Sequence, residues 1–423
     1  MNKIIHIIGG GLAGLSCAVK LLKNKKEKKI TLYESSDLFG GRCRSYNDKD
    51  FECYLDNGNH LIIKAYQNTF KYLKEIKATH TITSNEKSFY PFIDIKNSEN
   101  WEVKPYSNFI PWWIFFPSCR PSGVSLLDFI KGFKLAFAKN DQTVSNLINV
   151  DSLIYKRFWK PFTIAVLNTH PKEASAKLLW KVILKTLFRW NNPLHPFVVK
   201  KSLNESLIKP GIEKIVRHGG KIKTNYRLKK INLKNNCAKE IIFQNKTILI
   251  NNEDFLVLAI PPNVLSKILP DIVTPKKTNC ILNVHFKLDK TNNKIIFPQE
   301  SFFMGVIGGL TNWIFKKKNI LSITISAANN LNIYTNKKIS KMIWSEIEKI
   351  FKLQKNNMPK YKIIREKMAT FVQSPEEIFK KPKMLTNYSN IFLAGDWVDN
   401  GFPATIEGAI TSGYNVAHHI NKI

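Results

Sequence analysis

At 423 residues, 44% of them hydrophobic, the chain carries enough apolar material for two sizeable cores, which excludes a disordered or fibrous protein. Its net charge of +33 points to an anionic partner, but the 57 Lys and 8 Arg are scattered, and Lys is the poorer residue for forked recognition of phosphate. A nucleic-acid partner is therefore not expected, whereas contact with an anionic membrane surface is. The six cysteines show neither a CxxC pair nor metal-ligand spacing, so a metal site is not expected either.

The chain opens on an apolar strand over Ile4–Ile8, followed by Gly9-Gly10-Gly11-Leu12-Ala13-Gly14, a helix-like run to residue 22, a second strand over Lys29–Tyr33 and then Glu34. Strand, glycine loop, helix, strand and acid in that order predict a dinucleotide site. Gly9 permits the tight turn, Gly11 lets backbone approach a pyrophosphate, Gly14 lets the helix pack on the strand, and Glu34 reaches a ribose hydroxyl. The helix N-terminus offers free N–H groups to the phosphates. Lys3 ahead of an apolar stretch has the outline of a secretory signal, but the glycine fingerprint accounts for the same residues in more detail.

Next comes Leu38-Phe39-Gly40-Gly41-Arg42, where Gly41 again allows close approach of a ligand and Arg42 is either a phosphate donor or a solvated turn residue. Residues 77–203 are aromatic and Pro-punctuated, with Pro111-Trp112-Trp113-Ile114-Phe115-Phe116-Pro117 reading as core or as a membrane-facing lip. The longest apolar run, near 109–117, falls far short of the ~20 residues of a spanning helix. A helix is predicted within 172–190, and nucleotide-domain texture returns at 219–225. The strand after it, 226–231, holds Leu228, which either offers its backbone to an adenine edge or fills the core.

Further strands are predicted at 254–260, 281–288, Ile320–Ile325 and 391–394. The last runs into Gly395-Asp396, and Thr405 and Ile406 then open a helix behind Pro403. Gly395 leaves room for pyrophosphate, and Asp396 can accept from a ribityl hydroxyl. A nucleotide domain in three pieces, 1–76, 204–262 and 388–423, with substrate-binding segments 77–203 and 263–387 between them, is the layout of a flavoprotein rather than a simple NAD dehydrogenase. The expected fold class is α/β: a Rossmann-like FAD-binding domain assembled from discontinuous segments, plus an inserted α+β substrate domain.

Gly9-x-Gly11-x-x-Gly14, Glu34, Gly40-Gly41-Arg42 and Gly395-Asp396 together resemble the flavin amine oxidase and carotenoid desaturase superfamily. Three further stretches resemble its hydroxysqualene dehydroxylase family. These are Leu55-Asp56-Asn57-Gly58-Asn59-His60-Leu61, then Phe158-Trp159-Lys160-Pro161 with Leu167-Asn168-Thr169 and Ala174-Ser175-Ala176, and finally Gly401-Phe402-Pro403-Ala404-Thr405-Ile406-Glu407-Gly408-Ala409. Asn59 departs from the Gln of that pattern and His170 from its Pro, and His170 is expected to be an exposed loop residue.

The resemblance implies FAD, reduction of hydroxysqualene to squalene with loss of water, a lipophilic isoprenoid substrate, and upstream squalene-pathway enzymes as partners. The positive charge, the Trp112–Phe116 cluster and the lack of a spanning segment lead to the expectation of a cytoplasmic protein peripheral to the inner face of the membrane. No Cys lies near Thr411-Ser412-Gly413-Tyr414, so the FAD is expected to be non-covalent. Thr405 and Ile406 would aim amides at the flavin's pyrimidine edge, where they favour the anionic reduced form. Asp56 and His60 are the candidate acid or acid-orienter for the departing hydroxyl, or else a turn cap and a backbone partner. Glu407 is expected to be a first-turn helix acid. The alternatives are a phytoene-type desaturase, an amine oxidase, or a basic membrane- or nucleic-acid-binding protein with a vestigial nucleotide fold.

Overall fold

A computed structural model describes residues 3–23, 28–106, 110–188, 191–289, 295–353 and 358–423. Of the sequence expectations above, Phe109 and Trp190 lie outside these residues. The first layer is a five-stranded, all-parallel sheet in the order Lys221–Lys223, Lys29–Tyr33, Ile4–Ile8, Phe255–Leu258, Ile391–Leu393. Its central strand is buried on both faces, which is why Ile4–Ile8 reads as an almost continuous apolar run rather than an alternating one. One face carries the helices Leu12–Leu21 and Ile406–Ile420. They meet at Gly413, where a Cβ would stand 2.2 Å from the Ala13 carbonyl oxygen. The other face is covered by an antiparallel meander of Leu228–Lys234, Cys237–Phe243 and Thr247–Leu249.

The second large sheet has seven strands, in the order Tyr361–Phe371, Thr278–Lys287, Ile320–Ile325, Trp313–Lys317, Phe303–Ile307, Tyr90–Asp94, Glu99–Val103. Only Phe303–Ile307 beside Tyr90–Asp94 is parallel. The helix Asn336–Phe351 packs on one face. A helical lobe containing Leu126–Gly132, Lys160–Leu167 and Ala176–Thr186 has its own core around Trp113, Phe129 and Trp159. The helix expected within 172–190 is thus Ala176–Thr186, opened by Ser175, whose hydroxyl accepts from the Leu178 amide.

Two stretches widen to π-helical turns, Tyr155–Trp159 and Asn204–Ile208. Each lies just before a proline, Pro161 or Pro210, whose ring and missing N–H disrupt the ordinary ladder. The strand predicted from Tyr226 begins instead at Leu228, because the Tyr226 amide is engaged by the Glu34 carbonyl.

Candidate functional site: a cofactor cleft joined to an apolar chamber

The glycine loop is held from both sides. Gly9 adopts φ +110°, and a Cβ there would stand 2.2 Å from the Ala259 carbonyl oxygen; at Gly14 it would stand 2.0 Å from the Gly9 carbonyl oxygen. Gly11 is different: its backbone is ordinary extended chain, and a Cβ added there would find its nearest neighbour, the Gly41 Cα, at 3.8 Å. The protein alone does not require glycine at position 11. A ligand lying across it would, and this open cradle has the room that a dinucleotide pyrophosphate needs.

Glu34 is buried; one carboxylate oxygen accepts from the Gly10 amide at 2.8 Å, and the other from the Ser35 hydroxyl and the Ser36 amide. It fixes the loop as well as facing the cleft. Arg42 donates through Nη2 to Asp396 and through Nη1 to the Ala369 carbonyl at 2.8 Å. The solvated-turn reading of Arg42 is therefore replaced by an ion pair between part-exposed Arg42 and buried Asp396 that joins the second glycine loop to the C-terminal motif. Gly395 is fastened through its amide to the Ser412 hydroxyl at 3.0 Å.

Gly9, Gly11, Glu34, Gly41, Arg42, Gly395, Asp396, Thr405 and Ile406 all border one continuous cavity of about 700 Å³, and Gly14 stands behind it as a packing residue. Thr405 caps the helix Ile406–Ile420, its hydroxyl accepting from the Gly408 amide, and the start of that helix at Thr405 and Ile406 borders the cavity wall. Leu228 borders the same cavity. It faces Phe243 in an open pair, since the Gln244 amide bonds the Arg227 carbonyl, and so its own amide and carbonyl turn away from that strand. Its side chain belongs to the core, and its amide and carbonyl are not spent on the strand Cys237–Phe243.

The cavity continues into a chamber walled by Tyr66, Tyr90, Phe92, Phe158, Trp313 and Phe315. The carboxylates among its described lining residues are Glu34, Glu366 and Asp396. Asp396 and Glu366 both lie toward Arg42, and Glu366 also accepts from the Asn57 amide nitrogen at 3.3 Å. The aromatic end thus holds no fixed negative charge among the described residues.

Of the two candidate acids, Asp56 is not on the wall. Its Oδ1 accepts from the Ser45 hydroxyl and the Leu203 amide, and Lys317 approaches Oδ2 to 3.7 Å. That placement corrects the expectation that Asp56 handles a departing hydroxyl: the carboxylate ties two chain segments together behind the site. His60 does line the cavity, but burial pushes its imidazole down to about 4, so it is neutral near pH 7 and is not a ready-charged acid.

His285, beneath the site between the Ser322 hydroxyl and the Asp56 carbonyl, is pushed down to about 4 by the same cause. In the unfolded chain both titrate near 6.5, so the unfolded state binds more protons between about pH 6.5 and 4, and stability is lost as pH falls through that window. Urea unfolding at pH 7.5 and 4.5 should differ by roughly 2–3 kcal/mol for each of the two. Unchanged stability across that range would mean that both imidazoles take up a proton in the fold as readily as in the unfolded chain.

Asn57 bonds the Arg42 carbonyl and accepts from the Arg44 amide, while Asn283 donates to the Asn57 carbonyl at 2.7 Å. Thr324 joins Asn283 to Asn59, so the polar motif is anchored to the second sheet. Asn168, left-handed at φ 47°, ends the helix Lys160–Leu167 and bonds Thr370 and the Ala327 amide. Gln373 then links the Leu167 carbonyl to the Ala404 amide. Asn283, Thr324 and Gln373 were not among the residues expected at the site. The available signal was Asn279, Asn283 and His285 at positions of one parity on the strand Thr278–Lys287. His170 is exposed and off the cavity wall, as expected. Glu407 is indeed a first-turn acid, but it bonds a different helix, accepting from the Asn68 and Thr69 amides at 3.0 and 2.8 Å.

The parallel sheet, the glycine loop on a helix N-terminus and the joined chamber define a flavoenzyme of the α/β dinucleotide-binding class. The chain belongs to the flavin-containing amine oxidoreductase family, whose description matches residues 12–421. Within that family it stands with the hydroxysqualene dehydroxylases: the Zymomonas mobilis protein of that name is 33% identical over 98% of each chain. The 15-cis-phytoene desaturase of Synechococcus elongatus is more distant, at 22% identity over 98% of this chain and 95% of its own. Among solved structures, cyclohexylamine oxidase from Brevibacterium oxydans superposes with a TM-score of 0.71 at 13% identity, covering 100% of this chain and 99% of its own, a likeness of fold.

Proposed function

We propose that the protein is an FAD-dependent oxidoreductase that converts hydroxysqualene to squalene, with the FAD held non-covalently. The observation that carries this reading is the aromatic chamber continuous with the dinucleotide cleft, while the carboxylates of the shared lining, Glu34, Glu366 and Asp396, are engaged by Gly10, Asn57 and Arg42. An amine substrate needs an anionic partner at the reacting end; a branched hydrocarbon needs only shape and apolar surface. Bound FAD in its reduced state supplies two electrons as hydride.

In the reaction a C–O bond breaks, the oxygen leaves as water after gaining one proton, and the hydride closes the same carbon. Aromatic faces of the chamber stabilise the positive charge that develops as the hydroxyl leaves, at about 0.5–2 kcal/mol per ring. Tyr66 stands where the two halves meet: its phenol is within electrostatic reach of both Glu407 and Tyr90, and burial pushes its pKa up. It therefore stays protonated and can donate a hydrogen bond into the cavity that neutral His60 also lines. Tyr90 is committed to the Leu194 carbonyl at 2.6 Å.

The test is an anaerobic single turnover of chemically reduced enzyme with hydroxysqualene, with products followed by mass. Squalene is expected in an amount equal to the flavin, and at a rate lowered by roughly 10²-fold or more in Tyr66→Phe with His60→Ala. If no squalene forms, while oxidised enzyme dehydrogenates phytoene, the desaturase reading replaces this one.

Such a substrate partitions into lipid, and no helix among the described residues is long and apolar enough to cross a membrane. The proposed location is accordingly cytoplasmic, peripheral to the inner face of the membrane, within reach of the enzymes that make the substrate.

A further inference from the structure

The helical lobe presents a face that its own core does not need. Trp112, Phe115 and Phe116 are about half exposed, and Phe137 on the same lobe is 86% exposed. Residues 110–139 carry Arg120, Lys131, Lys134 and Lys139 against a single acid, Asp128, which is occupied in capping Ser125. Directly beneath this face lies a second, smaller apolar pocket of about 40 Å³. Its outer rim includes half-exposed Phe133, whose ring meets Trp180 at 6.0 Å. Its inner wall is Trp113, Phe158 and Leu187, and these three residues also line the large cavity. Phe158 sits in the π-helical turn before Pro161, where the backbone ladder is already irregular.

We propose that residues 110–137 form the face on which the protein rests on an anionic lipid bilayer, and that an isoprenoid passes from the bilayer into the chamber through the neck at Trp113, Phe158 and Leu187. The occupant is a bilayer because the face joins exposed Trp and Phe to an excess of Lys and Arg, the combination that anchors at headgroup depth and is drawn to acidic lipid. The small pocket places that face on the path of an apolar molecule, which need never cross water. The second half of this proposal rests on the isoprenoid reading of the chamber; the first half does not.

The two halves are tested separately, with flavin-loaded enzyme throughout. In flotation without substrate, the protein should rise with phosphatidylglycerol vesicles at low salt, be partly released at high salt, and rise poorly with phosphatidylcholine. Trp112→Glu, Phe116→Glu and Phe137→Glu combined should weaken that binding roughly tenfold or more, while Ile333→Glu, an exposed apolar residue elsewhere, should not. Equal flotation of the triple variant and the wild type, or equal binding to both lipids, overturns the docking face.

For the route, squalene transfer from phosphatidylglycerol vesicles is timed by the change in the flavin spectrum. Ile183→Trp, which fills the small pocket, should slow transfer roughly tenfold with flavin retained, and Leu187→Ala, which opens the neck, should speed it. Wild-type transfer rates in both variants overturn the route. Vesicle binding with no squalene response in the wild type leaves the docking face standing and removes the isoprenoid reading.

Discussion

Gly11→Val should purify as a folded protein that has lost its flavin. Extended backbone at position 11 suits a β-branched residue, and the first atom that its Cβ meets is 3.8 Å away, so the fold itself has little reason to object. A pyrophosphate drawn against the loop has no such room, and the added side chain displaces it at a cost of ~3 kcal/mol, a factor of roughly 100 in Kd. The control is Gly14→Val, where a Cβ stands 2.0 Å from backbone oxygen and the protein should fail to fold at all. Far-UV circular dichroism with the visible flavin spectrum separates the two. A yellow, fully loaded Gly11→Val would remove the pyrophosphate from this loop.

Glu407→Ala should destabilise the protein by about 3–5 kcal/mol. Glu407 is 1% exposed and accepts from the Asn68 amide and from both the amide and hydroxyl of Thr69. The Gln67–Glu75 helix has no side-chain cap of its own, so this carboxylate, sent from another helix, satisfies its buried N-terminal donors. Glu407→Gln keeps an acceptor in place and should recover part of the loss. Urea unfolding followed by fluorescence reads the effect. If Glu407→Ala is as stable as wild type but no longer turns over, the residue belongs to the reaction instead.

Local signals carried the cofactor half. Gly9, Gly11, Gly14 and Glu34 lie within one strand–helix–strand unit, so spacing alone predicts their meeting, and the five parallel strands follow from short apolar runs in the expected places. Arg42 with Asp396 was legible only in part, since each was placed at the cofactor but nothing local says that they pair across 354 positions. Asp56 shows the opposite failure. It sits in the same motif as His60, but on the strand Cys53–Asp56 its side chain points to Ser45 and Leu203, away from the cavity that Asn57 and His60 face. Facing is set by tertiary placement, and a motif read as text does not carry it. The Asn59–Thr324–Asn283 chain was out of reach for the same reason.

The order of the parallel sheet has a consequence for how the chain is made. Of its strands the middle one, Ile4–Ile8, is made first, but its neighbour Phe255–Leu258 follows some two hundred and fifty residues later, and the edge strand Ile391–Leu393 later still. Loop-closure entropy opposes those pairings until both partners exist, so the amino-terminal unit must wait with its glycine loop held by Tyr33 and Glu34 but not by Ala259. The Ala259 and Asp396 contacts that complete the cleft cannot form before those strands are made, and in the interval the nascent apolar strands are exposed to aggregation.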